Sequence, residues 1–167
     1  IRYYGCSYFT GKEMTSAVDN AKKHNYTGFM TAQNAWNVLE REIEEDLIPV
    51  CESENITILP YYPIARGLLT GKYKRNKDAP SGSRLEGNSY LDEANFDVIE
   101  KLEIYAQDHG YDLLTLAISW LASQPVTASV IAGASKPEQS ISNAASARWK
   151  MSTENLAEIS DIASSGQ

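Results

Sequence analysis

Four short apolar runs, each followed by a segment of helical periodicity, constrain this chain more than any other feature of it. Tyr3–Ser7, Phe29–Gln33, Ile56–Tyr61 and residues 128–132 have the length and composition of buried strands. Thr10 and Glu13 have capping-box spacing and start a helix that runs to about Asn25. Residues 42–54 place Ile43, Leu47, Val50 and Cys51 on one helical face. Helical patterns recur at 93–109, 112–123, 137–146 and 153–164. The intervening residues 63–92 hold many Gly, Pro, Ser and Lys residues and predict a long, functional or mobile loop.

Strict alternation of strand and helix implies a parallel sheet with right-handed crossovers, the α/β class. A (β/α)8 barrel needs about 250 residues and eight strands. This chain has 167 residues and four strands. Four parallel strands with helices on one face leave two edges unpaired and an inner face open. The expectation is one region, residues 1–167, forming half a barrel that requires its other half. The chain starts with Ile1-Arg2-Tyr3-Tyr4, without an initiator Met, and reads as an excerpt beginning inside a fold.

Charge narrows the partners. A formal charge of −7 argues against nucleic acid, which requires clustered Lys and Arg. No apolar run approaches the roughly 20 residues needed to cross a bilayer. Cys6 and Cys51 are too few for a disulfide framework and fit a reducing cytoplasm.

In a barrel the strand ends gather on one rim, and such folds place their sites there. The residues at those ends are Ser7-Tyr8, Gln33-Asn34, Tyr61-Tyr62-Pro63 and Gly133-Ala134-Ser135-Lys136. Ser7 and Gln33 can hydrogen-bond an amide-bearing ring, and Tyr61 can stack on it. Ser135, Lys136, Gln139 and Asn143 can hold a phosphate and a purine. Pro137 suits a first helical turn, where free N–H groups attract anions, and Ser135 and Lys136 add a hydroxyl and a charge.

Longer segments carry a family resemblance. These are Ile1-Arg2-Tyr3-Tyr4-Gly5-Cys6-Ser7, Ala32-Gln33-Asn34-Ala35-Trp36-Asn37, and the run from Leu59 to Tyr73 (LPYYPIARGLLTGKY). Pro80-Ser81-Gly82-Ser83-Arg84 and Gly133-Ala134-Ser135-Lys136-Pro137-Glu138-Gln139 complete the set. Together they resemble the C-terminal half of the aldo-keto reductase superfamily, in the bacterial and plant branch that includes potassium-channel β subunits. The resemblance implies barrel strands five to eight and NADP as cofactor, with reduction of aldehydes or ketones to alcohols in the complete barrel.

The same resemblance distributes the cofactor contacts. Ser7 and Gln33 match the nicotinamide carboxamide positions, and Tyr61 the residue stacked on that ring. Tyr62, Pro63, Ile64, Ala65 and Arg66 match the segment lining the pyrophosphate, with Lys72 reaching it from the long loop. Arg84, Ser135 and Lys136 match the adenosine 2′-phosphate contacts at the Gly133 turn, and Gln139 and Asn143 the adenine end. Charge-assisted donors for a 2′-phosphate favour NADP over NAD. Two departures stand out: Tyr8 replaces the family's usual Asn (or Arg), and Ser142 replaces its usual Glu. The family's Asp, Tyr, Lys and His tetrad lies on the first four β/α units, so no catalytic residue is assigned here. The isolated chain is expected to be inactive. The alternative is a non-catalytic nucleotide-binding module, or a half-barrel that pairs with a second copy of itself.

Other constellations have plainer readings. Gly67 to Lys72 has three residues between its glycines where a phosphate loop needs four, and Tyr73 stands where Ser or Thr is required. Glu40, Glu42, Glu44, Glu45 and Asp46 read as a solvated helix start rather than a metal site. His24 and His109 read as surface or cap residues, and Trp120 as core.

Overall fold

The computed structural model describes residues 1–165. Strands β1 (Gly5–Ser7), β2 (Thr31–Gln33) and β3 (Thr57–Ile58) form a parallel sheet in sequence order. The chain between 126 and 131 runs parallel beside β3, through bridges Ile58 to Thr127 and Tyr61 to Ile131. Ala128 and Ile131 donate backbone N–H groups to Ile58 and Pro60. The fourth expected strand is therefore present as spaced bridges rather than a continuous ladder. It begins one residue earlier than the apolar run suggested, at Thr127.

The helices are α1 (Gly11–His24), α2 (Ile43–Ser53), α3 (Phe96–Asp108), α4 (Leu113–Ala122), α5 (Pro137–Ala145) and α6 (Thr153–Ser164). The capping box at the head of α1 forms as the spacing predicts. Thr10 Oγ1 accepts from the Glu13 N–H, and the Glu13 carboxylate accepts from the Thr10 N–H at 2.8 Å. Asn25 ends α1 in the left-handed conformation.

Strand alternation splits the sheet into two faces. Ala32 and Ile58 are fully buried against the helices, packed with Met14, Leu47 and Cys51. Ser7, Thr31, Gln33, Thr57 and Leu59 occupy the alternate positions and are exposed or half-buried. Gly5 is required where β1 approaches β2, because a Cβ there would lie 2.5 Å from the Thr31 carbonyl oxygen. A second part of the core joins Leu68, Leu69, Leu102, Leu116, Trp120 and Leu121 to Trp149 and Ile159.

Loop 63–92 is ordered by contacts at both ends. Residues Ala65–Thr70 form a 3₁₀ segment broken by Arg66 and Gly67, and Ser89–Leu91 form a second short turn. Tyr73 and Leu85 are buried, and the Leu85 N–H donates to the Tyr73 hydroxyl at 3.1 Å. Lys74 pairs with Glu103 at 2.8 Å, and Arg75 with Glu100 at 3.0 Å and with Asp97.

The acidic run is more tied than a solvated face. Asp46 accepts the Gly11 N–H at 2.8 Å, and Glu44 accepts from Arg41 and from Trp36 Nε1. Glu40 accepts from Asn37 and from the Tyr90 hydroxyl.

Candidate cofactor-binding cleft

A cleft of about 740 Å³ opens where the β3 end, the 63–72 turn, the tip of the long loop and the start of α5 meet. That volume lies within the usual range for cofactor pockets. Of the sequence-derived residues it is lined by Tyr61, Tyr62, Pro63, Ile64, Arg66, Lys72, Arg84, Gly133, Ser135, Gln139 and Asn143. Residues separated by as many as 82 positions are thus brought to one concavity.

Local backbone geometry sets the cationic wall. Tyr62, Ala65 and Arg66 all have positive φ (57°, 44° and 56°), and Gly67 follows at 107°. This tight turn lifts Arg66 out of the wall while Ala65, Leu68 and Leu69 turn into the core. The Arg66 guanidinium lies 5.3 Å from the Tyr62 ring centre, and Arg84 lies 5.6 Å from the same ring. A Cβ on Gly67 would crowd Lys72 Nζ at 3.1 Å, so glycine lets that ammonium lie across the turn. Three cations therefore line one cleft in a chain of net charge −7.

Asn37, fully buried, secures this wall from behind. Its Nδ2 donates to the Tyr62 carbonyl at 3.0 Å, and its Oδ1 accepts from the Leu39 and Glu40 N–H groups.

At the other end, Lys136 is the N-cap of α5 and Pro137 its first residue, matching the helix start read from the sequence. The Gln139 side-chain oxygen accepts from the Ser135 N–H at 2.8 Å and from its hydroxyl at 3.1 Å. Asn143 donates to the Gly133 carbonyl at 3.4 Å. The polar groups at this end are thus preset by mutual contacts, with Ser135 and Gln139 exposed.

Four sequence-derived residues lie outside the cleft wall. Ala65 is buried beneath it, and Lys136 is exposed at its rim. Ser7 and Gln33 lie at the neighbouring strand ends, where the Ser7 hydroxyl donates to the Gln33 carbonyl at 2.9 Å. They connect to the cleft through Tyr8, whose ring centre is 5.6 Å from that of Tyr61. Burial, then the hydrogen bond and charge of Tyr8, push the Tyr61 phenol up to about 12. Gly67, Thr70, Gly82, Ser83, Leu114, Ile131, Ala134 and Ser142 also line the cleft. Most of these sit inside the segments that carry the resemblance, whereas Leu114, at the head of α4, has no local signal.

Residues 1–164 match the sequence profile of the Aldo/keto reductase family. The chain belongs to that family. Members of the aldo/keto reductase family are oxidoreductases that generally use NADH or NADPH with carbonyl substrates. Among similar proteins is a probable voltage-gated potassium channel subunit beta of Arabidopsis thaliana, 35% identical over 82% of this chain and 44% of that protein. Protein tas of Escherichia coli is 31% identical over 97% of this chain and 48% of its own length. The solved structure of a glycerol dehydrogenase from Gluconobacter oxydans superposes with a TM-score of 0.79 at 27% identity, over 99% of this chain and 50% of that one. The chain spans about half the length of the relatives it matches. Among the described residues, no helix is long and apolar enough to cross a membrane, and no group of three or more His, Cys, Asp or Glu residues is placed to hold a metal ion.

Proposed function

We propose that this chain is the cofactor-binding half of an NADP-dependent carbonyl reductase, built as the C-terminal half of a (β/α)8 barrel. The observation that carries the reading is the set of Arg66, Lys72 and Arg84 around one cleft that ends on Tyr61. Phosphate-bearing ligands need such charge-assisted donors, and this acidic chain concentrates them there. Arg66 and Lys72 would hold the pyrophosphate, Arg84, Ser135 and Lys136 the 2′-phosphate, and Gln139 and Asn143 the adenine. The bound cofactor supplies a hydride. This chain's residues would bind and orient it, with Tyr61 stacking on its nicotinamide ring and Ser7 and Gln33 hydrogen-bonding its amide.

Three features support the half-barrel. Tyr3 and Tyr4 are exposed beside β1, Ile131 is exposed at the end of the bridged fourth segment, and the superposed dehydrogenase is matched over half its length. Four further strands, from an N-terminal half or from a second copy, would cover those edges. The general acid would come from that other half, so the 167-residue chain alone is expected to bind without turnover. The reading places the protein in the reducing cytoplasm, where Cys6 and Cys51 stay free thiols.

The test is titration of the chain with NADPH, followed by reduced-nicotinamide fluorescence, with a parallel steady-state assay on a reactive aldehyde. Saturable binding without turnover is the expected result. Turnover by the chain alone would contradict the assignment of the acid to other polypeptide. Absence of binding would remove the cofactor reading.

A further inference from the structure

We infer that Tyr8 is a movable cover on the Tyr61 ring, which must swing aside before a planar ring can stack there. The inference rests on the cofactor reading above and assigns a specificity and gating role to a residue that reading leaves unused.

The backbone of Tyr8 is held from both sides. Its N–H donates to the Gln33 carbonyl at 3.2 Å, while the preceding Ser7 hydroxyl donates to the same oxygen at 2.9 Å. The next carbonyl, that of Phe9, accepts from the buried Asn34 side chain at 3.0 Å. Tyr8 itself has φ 63°, a left-handed conformation unusual for an aromatic residue. Those three hydrogen bonds hold the main chain there and aim the side chain from the end of β1, past the end of β2, toward Tyr61. The ring has no comparable anchorage: Tyr8 is 74% exposed. Its main-chain position is fixed, while its exposed ring, in contact with Tyr61, can turn about its own side-chain bonds once that contact is given up.

The two rings are too close to admit a third. Their centres are 5.6 Å apart at 54°. A ring inserted between two others needs about 7 Å, twice the 3.5 Å contact distance between carbon atoms. A ligand ring that touches Ser7 and Gln33 and also stacks on Tyr61 must use the space between those strand ends and Tyr61. The Tyr8 ring spans that space. The other neighbour of Tyr61 cannot yield as easily. Tyr62 lies edge-on at 4.8 Å, with its carbonyl held by Asn37 and its ring flanked by Arg66 and Arg84. Tyr8 is the ring that moves.

The contact then competes with the nicotinamide end of the cofactor and leaves the adenosine end untouched. The probes are NADPH and 2′-phospho-ADP-ribose, which keeps the pyrophosphate, the 2′-phosphate and the adenine but lacks the nicotinamide. Tyr8→Ala is expected to tighten NADPH about three- to tenfold, the scale of one aromatic pair, and to leave 2′-phospho-ADP-ribose unchanged. Tyr8→Phe keeps the ring and loses the hydroxyl that bonds Tyr61, so it should tighten NADPH by a smaller factor. Unchanged or weaker NADPH binding in Tyr8→Ala overturns the cover, and weaker binding makes Tyr8 a wall of the ring site. Equal tightening of both ligands also overturns it, since the effect would not be local to the ring. If wild-type chain binds 2′-phospho-ADP-ribose but NADPH no better, and Tyr8→Ala changes neither, the cover fails while the phosphate-site reading stands. If it binds neither ligand, the cofactor reading itself fails and the cover with it.

Discussion

The guanidinium of Arg66 lies 4.4 Å from the centre of the Tyr90 ring, and the Tyr90 hydroxyl donates to Glu40 at 2.6 Å. Arg66 thus projects from a left-handed backbone onto a ring that lies outside the cleft lining and is itself held by the Glu40 carboxylate. Tyr90→Ala removes that support. NADPH affinity is expected to fall about three- to thirtyfold, the scale of a partly buried cation–π contact. Tyr90→Phe keeps the ring and should lose less. Equilibrium titration of both variants checks the order, and a Tyr90→Ala protein with unaltered affinity would remove Arg66 from the phosphate contacts.

Selectivity for the 2′-phosphate is assigned to Arg84 and Lys136. Arg84→Ala or Lys136→Ala should each weaken NADPH about tenfold or more, the scale of one charge-assisted hydrogen bond, with NADH affinity nearly unchanged. The ratio of the two dissociation constants is the readout. A parallel loss for both coenzymes would place these side chains elsewhere on the ligand.

Asn37 joins the cleft to the core. Asn37→Ala removes the side-chain partner of the Tyr62 carbonyl and of the Leu39 and Glu40 N–H groups, although the carbonyl keeps the Ala65 N–H and the Glu40 N–H keeps the Asn37 carbonyl. A destabilisation of about 1–3 kcal/mol, the scale of one buried group left unpaired, is expected in denaturant unfolding. A change under about 0.5 kcal/mol would show that the turn holds itself.

Alkaline pH should weaken the fold through its phenols. Burial and the Tyr8 contact push Tyr61 up to about 12; burial and Glu40 raise Tyr90; burial and Glu158 raise Tyr105. Unfolded tyrosine titrates near 10 (roughly). Groups whose folded value is raised contribute stability that is intact below the unfolded value and lost as pH rises through the folded one. Stability should therefore decline from pH 10 (about) upward, and Tyr61→Phe should make that decline shallower. An identical pH profile for wild type and Tyr61→Phe would contradict the stated environment of Tyr61.

The order of elements was legible because strand and helix leave different periods, and the caps at Thr10 and Pro137 are local signals. The weakness of the fourth strand was not, because Ala128, Ser129 and Ala132 carry an apolar pattern but few side chains that bury against a neighbour. The cationic wall was legible through the Leu59–Tyr73 segment. Its support was not. Asn37, Glu40 and Tyr90 meet only through the fold, and the positive φ of Tyr8, Tyr62 and Arg66 runs against what those residue types suggest. Leu114 is similar: it reaches the cleft only because α4 packs there.

Isothermal titration of the 167-residue chain with NADPH, and then with NADH, tests the central claim most directly. One saturable NADPH site per chain is expected, markedly tighter than that for NADH. No detectable heat with NADPH, or equal affinity for the two, would contradict it.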